Sequence, residues 1–151
     1  MMHQLSKKLT YYLAGPMSGI PKFNFPMFDE AARVLREQGF TIVNPAELDS
    51  DAVRAAALSS VHGQHDVDGN IGGESWGSIL ARDVAIVADK CDGVIFLPRW
   101  SQSRGARLEA FTGVLCGHLF GEYRPAVRQV WRLSPATVKT TLARELLKNE
   151  R

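Results

Sequence analysis

Short runs of β-branched and aromatic residues alternate along this chain with stretches whose apolar positions recur every three or four residues. Thr10-Tyr11-Tyr12-Leu13-Ala14 and Phe40-Thr41-Ile42-Val43 read as strands. Gly93-Val94-Ile95-Phe96-Leu97 is apolar throughout and reads as a buried parallel strand. Between the first two, Phe28, Ala32 and Leu35 share one face of a helix that Asn24 caps, with Pro26 in its first turn. That helix runs to about Gln38 and ends at Gly39. Ile79, Leu80, Val84, Ile86 and Val87 give a second helix over roughly 76–90 a broad apolar face. Leu108, Phe111, Thr112, Leu115 and Leu119 predict a third helix that carries Glu109 in its first turns and continues toward Pro125. Ala126–Leu133, interrupted by Arg128 and Gln129, reads as a strand near the sheet edge. Ser134-Pro135 then opens a final helix with Val138, Leu142 and Leu146 on one face.

Strands alternating with helices imply a parallel sheet with right-handed crossovers. The expected architecture is a single α/β domain over residues 1–151: a three-layer, flavodoxin- or Rossmann-like sheet of four or five strands. The first and third strands should be neighbours, with a cleft opening between their carboxyl ends. Residues 49–75 form a variable insertion with little pattern. Ala52–Ser60 has the makings of a short helix, and the Gly- and Asp-rich stretch His62–Ser75 reads as a mobile loop able to act as a lid.

Length and composition change this picture only slightly. The chain has 151 residues, 45% hydrophobic and 23% charged, with a formal charge of +2. These values suit a soluble globular domain and argue against a nucleic-acid polymer as partner. No apolar run nears the roughly 20 residues of a membrane span, and the start lacks a signal-peptide core. Two cysteines, Cys91 and Cys116, read as small buried residues in a reducing cytoplasm.

Candidate chemistry gathers at two loops. Gly15-Pro16-Met17-Ser18-Gly19, after the first strand, is either a tight turn or a ligand-wrapping loop. It has neither dinucleotide-fingerprint nor P-loop spacing. Pro98–Glu109 follows the buried strand, and there Ser103 and the amides around Gly105 are placed to hold a phosphate. Arg99, Arg104 and Arg107 make a local basic mouth suited to a small anion. Glu109 is the candidate nucleophile, although an acid at a helix start also stabilises the helix by a few tenths of a kcal/mol with no ligand involved. Asp83, after Arg82, borders both arcs of its helix, so an exposed ion pair and a proton-exchanging acid both fit. Trp76 and Trp100 are equally core residues or stacking surfaces for a base. Asp66-x-Asp68-x-Asn70 and the His62/His65 pair lack the remaining ligands of a calcium or zinc site, so no metal or other cofactor is expected.

Three stretches together, Tyr12-Leu-Ala-Gly-Pro-Met-Ser-Gly19, Arg82-Asp83 before Cys91-Asp92-Gly93, and Trp100-Ser-Gln-Ser-Arg-Gly-Ala-Arg-Leu-Glu109, resemble the nucleoside 2-deoxyribosyltransferase superfamily. The nearest likeness is to its small phage and bacterial branch of unknown function. That superfamily also holds the 2′-deoxynucleoside 5′-phosphate N-hydrolases. The resemblance spans about residues 10–48 and 76–120. It implies that Glu109 is the nucleophile, Tyr12 its orienting partner and Asp83 the acid for the departing base. It also implies substrate contacts from Gly15, Pro16, Met17, Ser18, Gly19 and Asn24 on one side and Trp76, Trp100, Ser103 and Gly105 on the other. Six residues before the glutamate the transferases tend to carry an aspartate and the monophosphate hydrolases a serine. Ser103 stands there in this chain, which favours a 5′-monophosphate.

The resulting expectation is cleavage or transfer at the N-glycosidic bond of a nucleoside or nucleoside 5′-monophosphate, by a homodimer or larger homo-oligomer. The alternative is a nucleotide-binding or sensing module without turnover.

Overall fold

A computed structural model describes residues 4–149. The chain runs β1 (Thr10–Ala14), α1 (Phe25–Glu37), β2 (Thr41–Val43), α2 (Pro45–Leu48), α3 (Asp51–Ser59), β3 (Asn70–Ile71), β4 (Glu74–Ser75), α4 (Trp76–Lys90), β5 (Gly93–Phe96), α5 (Arg104–Cys116), β6 (Leu119–Arg124), β7 (Gln129–Leu133) and α6 (Pro135–Asn149). Five strands form the central sheet in the order β2-β1-β5-β6-β7. The first four are mutually parallel and β7 is antiparallel to β6. The expected three-layer α/β fold is therefore present, with β1 and the sheet's third strand, β5, side by side.

The period of two along β1 divides the core. Tyr11 and Leu13 pack with Phe28, Ala32 and Leu35 of α1, while Tyr12 and Ala14 face Val87 of α4 and Ala106 and Ala110 of α5. Both tyrosine rings are fully buried, and burial of side chains this large contributes on the order of 1.5–3 kcal/mol each. Tyr12 thus points to the α4–α5 layer by strand geometry alone.

Several expectations need correction. The helix after the second loop begins at Arg104 and carries Glu109 in its second turn, but it stops at Cys116. Gly117 takes φ +71 and its amide bonds back into the last turn, a glycine C-cap, after which Leu119 enters strand β6. The Leu115–Leu119 spacing was a coincidence across that break. Leu108, Phe111 and Leu115, which suggested a core face, lie on the outside of α5 at 40%, 51% and 71% exposure. The inner face is Ala106, Glu109, Ala110 and Gly113, small because the helix lies tight on the sheet: a Cβ on Gly113 would sit 3.0 Å from the Phe120 ring. Cys116 is exposed; Cys91 is buried.

The last strand is antiparallel because only residues 125–128 separate it from β6, too few for a crossover. Residues 62–75, expected as an unstructured loop, contain the β3–β4 hairpin. Nor does this insertion hang free. The Gly19 amide donates to the Gly63 carbonyl at 2.8 Å and the Lys22 amide to that of Ser60 at 2.7 Å. A side chain on Gly63 would collide with the Ile20 backbone, its Cβ 2.0 Å from the carbonyl oxygen. The insertion is therefore stitched onto the first loop. Among the described residues no helix is long and apolar enough to cross a membrane.

Candidate active site

β1 forms its parallel pairs with β2 on one side and β5 on the other, and at such a switch point the loops leaving the strands diverge. A cleft of about 230 Å³ opens there, somewhat below the usual range of ligand pockets. Gly15 allows its walls to approach: a Cβ at that position would lie 2.8 Å from Leu97 Cβ.

Tyr12, Gly15, Pro16, Met17, Ser18, Trp76, Asp83, Ser103, Gly105 and Glu109 all line this cleft. Three other candidates stand apart from its lining. The amide of Gly19 is used on the insertion. Asn24 is left-handed at φ 59 and caps nothing through its side chain; its Nδ2 instead donates to the Pro16 carbonyl at 2.9 Å, holding the first loop. Trp100 is buried, stacked on Phe96 at 4.0 Å between ring centroids, and so belongs to the core rather than to a base platform.

The basic mouth also shrinks. Arg107 donates to the Ser101 carbonyl at 2.9 Å and Arg99 points to solvent. Arg104 alone of the three lines the cleft, its guanidinium 4.9 Å from the centre of the Trp76 ring. Ser103 Oγ accepts the Ala106 amide at 3.2 Å and caps α5, yet its hydroxyl proton stays free to donate. The first-turn amides at Arg104 and Gly105 close no bond within the helix. A phosphate would find donors here.

At the cleft floor three elements converge. Tyr12 comes from β1, Asp83 from α4 and Glu109 from the second turn of α5, all in the buried class. Among the described residues the Tyr12 hydroxyl closes no hydrogen bond of good geometry. Burial raises its pKa well above the ordinary value, and the nearby charges of Glu109 and Asp83 raise it further. It therefore remains a phenol, a proton donor beside two carboxylates. Burial likewise holds the Glu109 carboxyl well above the usual carboxylate range, with Asp83 adding to the rise and Tyr12 opposing it. For Asp83 the value is pushed up to about 6, burial outweighing the opposing pull of Arg82.

The raised Glu109 pKa bears on stability. The folded state binds this proton more tightly than the unfolded chain does, so stability falls as pH rises from the unfolded value toward the folded one. Glu109→Gln removes that loss. Thermal denaturation at pH 5 and pH 8 should show the variant gaining on the wild type at the higher pH.

Sequence reasoning missed Asp49, a charged member of the cleft lining. Its Oδ1 accepts from Arg82 Nη1 at 2.7 Å, and Arg82 Nε donates to Asp83 Oδ1 at 2.9 Å. The pair read as Arg82-Asp83 is thus a partly enclosed carboxylate–guanidinium–carboxylate chain. No local spacing announces it, since Asp49 and Arg82 lie 33 positions apart. An apolar wall of Phe23, Phe25, Phe28, Val53 and Ile71 was missed too. His65, weighed as a metal ligand, packs edge-on against Phe23 at 5.6 Å.

Fold and site together define a doubly wound α/β domain with a buried carboxylate pair and a phenol at its switch-point cleft. Residues 9–117 match the family model described as a domain of unknown function (DUF4406), and the chain belongs to that family. Tyr12, Asp49, Asp83 and Glu109 all fall within the matched stretch. No curated protein matches the chain.

Proposed function

We propose that the protein cleaves or transfers at the N-glycosidic bond of a nucleoside or nucleoside 5′-monophosphate. The single observation behind this reading is the enclosed Tyr12 hydroxyl beside two buried carboxylates on the cleft floor, with no hydrogen bond of good geometry among the described residues. An ionised Glu109 would tighten that contact, since a phenol donates strongly to a carboxylate. The likeness of the Tyr12–Gly19 and Trp100–Glu109 stretches to the nucleoside 2-deoxyribosyltransferase superfamily supports the same assignment.

In this mechanism a Glu109 oxygen bonds to the sugar C1 while the C1–N bond breaks. The base leaves with the bonding electron pair and takes a proton from Asp83. Water or a second base then attacks C1, frees Glu109 and returns a proton to Asp83. The reactive form carries its proton on Asp83, whereas burial favours Glu109 as the resting holder. Tyr12 donates to the Glu109 anion and so favours the form with the proton on Asp83, and the positive charge that develops at C1 stabilises that anion further in the transition state. Trp76 offers a face to the base, and Ser103, Arg104 and the α5 amides receive a 5′-phosphate. The free thiols Cys91 and Cys116 suit a reducing cytoplasm.

The raised Glu109 pKa also favours a second reading, a nucleotide-binding module in which a protonated Glu109 only contacts a sugar hydroxyl. Chromatography of the products from nucleosides and 5′-monophosphates, with and without acceptor bases, separates the two. Free base marks a hydrolase and base exchange a transferase. Binding without either product selects the module and sinks the catalytic proposal.

The reading includes a homodimer, supported by the exposed Leu108, Phe111 and Leu115 on the outside of α5. Light scattering after gel filtration should give twice the chain mass, falling to one chain for Leu115→Glu. A wild-type monomer across micromolar concentrations removes this part of the proposal.

A further inference from the structure

Asp49 sits where α2 ends and α3 begins, with its side chain 5% exposed. It meets Arg82, whose guanidinium is shared: Nη1 lies 2.7 Å from Asp49 Oδ1, while Nη2 and Nε reach Asp83 Oδ1 at 2.8 and 2.9 Å. Both Arg82 contacts on Asp83 therefore use one oxygen, and Oδ2 takes no part in them. Resting on the N-glycosidase reading above, we propose that Asp49 is a positioning residue for the reaction: by engaging one edge of the Arg82 guanidinium it holds that arginine against Asp83 Oδ1 and leaves Asp83 Oδ2 free to exchange a proton with the leaving base.

An arginine facing a single buried aspartate is free to turn its planar fork onto both oxygens, the preferred bidentate geometry. Such a pair would lock Asp83 as an anion. A second carboxylate on the guanidinium prevents this in two ways. It occupies Nη1, which fixes the plane of the fork, and it offsets part of the cationic charge that Asp83 experiences. The groups facing Asp83 are few: Arg82 on its own helix, Tyr12 from β1, Glu109 from α5 and Asp49 from the α2–α3 junction. Of these, Arg82 and Tyr12 lower its pKa and Asp49 raises it. Asp49 itself is buried enough to be raised, with Arg82 opposing and with Glu74 and Arg54 as weaker neighbours. A purely structural ion pair would hold α4 to the insertion but would leave the titration of Asp83 unchanged. That difference makes the role testable.

The experiment is a carboxyl ¹³C titration of Asp83 by NMR on the full chain, in wild type and in Asp49→Asn, Asp49→Ser and Asp49→Glu. In the Asn and Ser variants the Asp83 midpoint should fall by roughly one pH unit, the scale of a nearby charge. The Glu variant, which keeps the carboxylate, should stay near wild type. The Ser variant serves if Asn does not fold. The pH profile of kcat/KM should move to lower pH with the titration. An Asp83 midpoint that is the same with and without the Asp49 carboxylate overturns the inference, whatever the activity. A shifted midpoint in a protein that turns over no member of the nucleoside panel supports the coupling and overturns the N-glycosidase reading instead.

Discussion

Glu109→Ala is expected to lose turnover by on the order of 10⁴-fold or more, the scale seen when a covalent nucleophile is removed, with ligand affinity largely kept. Two physical reasons set that size. Tyr12 is a phenol held neutral by burial and cannot replace a carboxylate at C1. Asp83 is occupied by Arg82 on Oδ1 and belongs to another helix. Affinity survives because the stacking and phosphate-binding groups, Trp76, Ser103 and Arg104, lie elsewhere along the cleft. Single-turnover assays with a labelled 5′-monophosphate, alongside calorimetric binding, measure the two quantities separately. Full activity in this variant would remove the mechanism.

Asp83→Asn is expected to cost roughly 10²–10⁴-fold in kcat, the range for a general acid, and to flatten the basic limb of the pH profile. In the wild type the active form carries a single proton on the carboxylate pair, placed on Asp83 rather than Glu109, and burial raises the pKa of both groups. The two limbs belong to the pair as a whole. Activity in the wild type therefore falls on both sides, and the variant should lose only the basic fall. Leaving-group chemistry sharpens the test. A nucleoside with an N7-methylated purine already carries positive charge on its base and departs without a proton. Its turnover should drop far less in Asp83→Asn than that of the unmodified nucleoside. Equal losses on both substrates would show that Asp83 is not the acid.

The legible parts of this protein were those with a local cause. Tyr12 faces α4 and α5 because strand residues alternate, and Glu109 lies near them because a helix follows the loop after β5. The helix boundary at Gly117 was readable as a glycine C-cap and was overridden by an accidental leucine spacing. Trp100 was ambiguous because an aromatic residue beside a loop serves a core as readily as a cleft; its stack on Phe96 is a tertiary fact. The inner face of α5 left no apolar signature because close packing selects Ala and Gly, while the conspicuous leucines went outward.

By itself, the chain order of apolar runs and turn residues determined an α/β sheet with β1 beside β5 and two polar loops at one edge. Periodicities of two and of about 3.6 act within a few residues, so they can be read without a structure. Only the tertiary structure decided that Asp83 is buried, that Asp49 reaches Arg82 across 33 positions and that the insertion is fastened to the first loop. Those outcomes depend on which surfaces exclude water once distant segments meet, and both the desolvation of a carboxylate and the direction of its pKa follow from that exclusion.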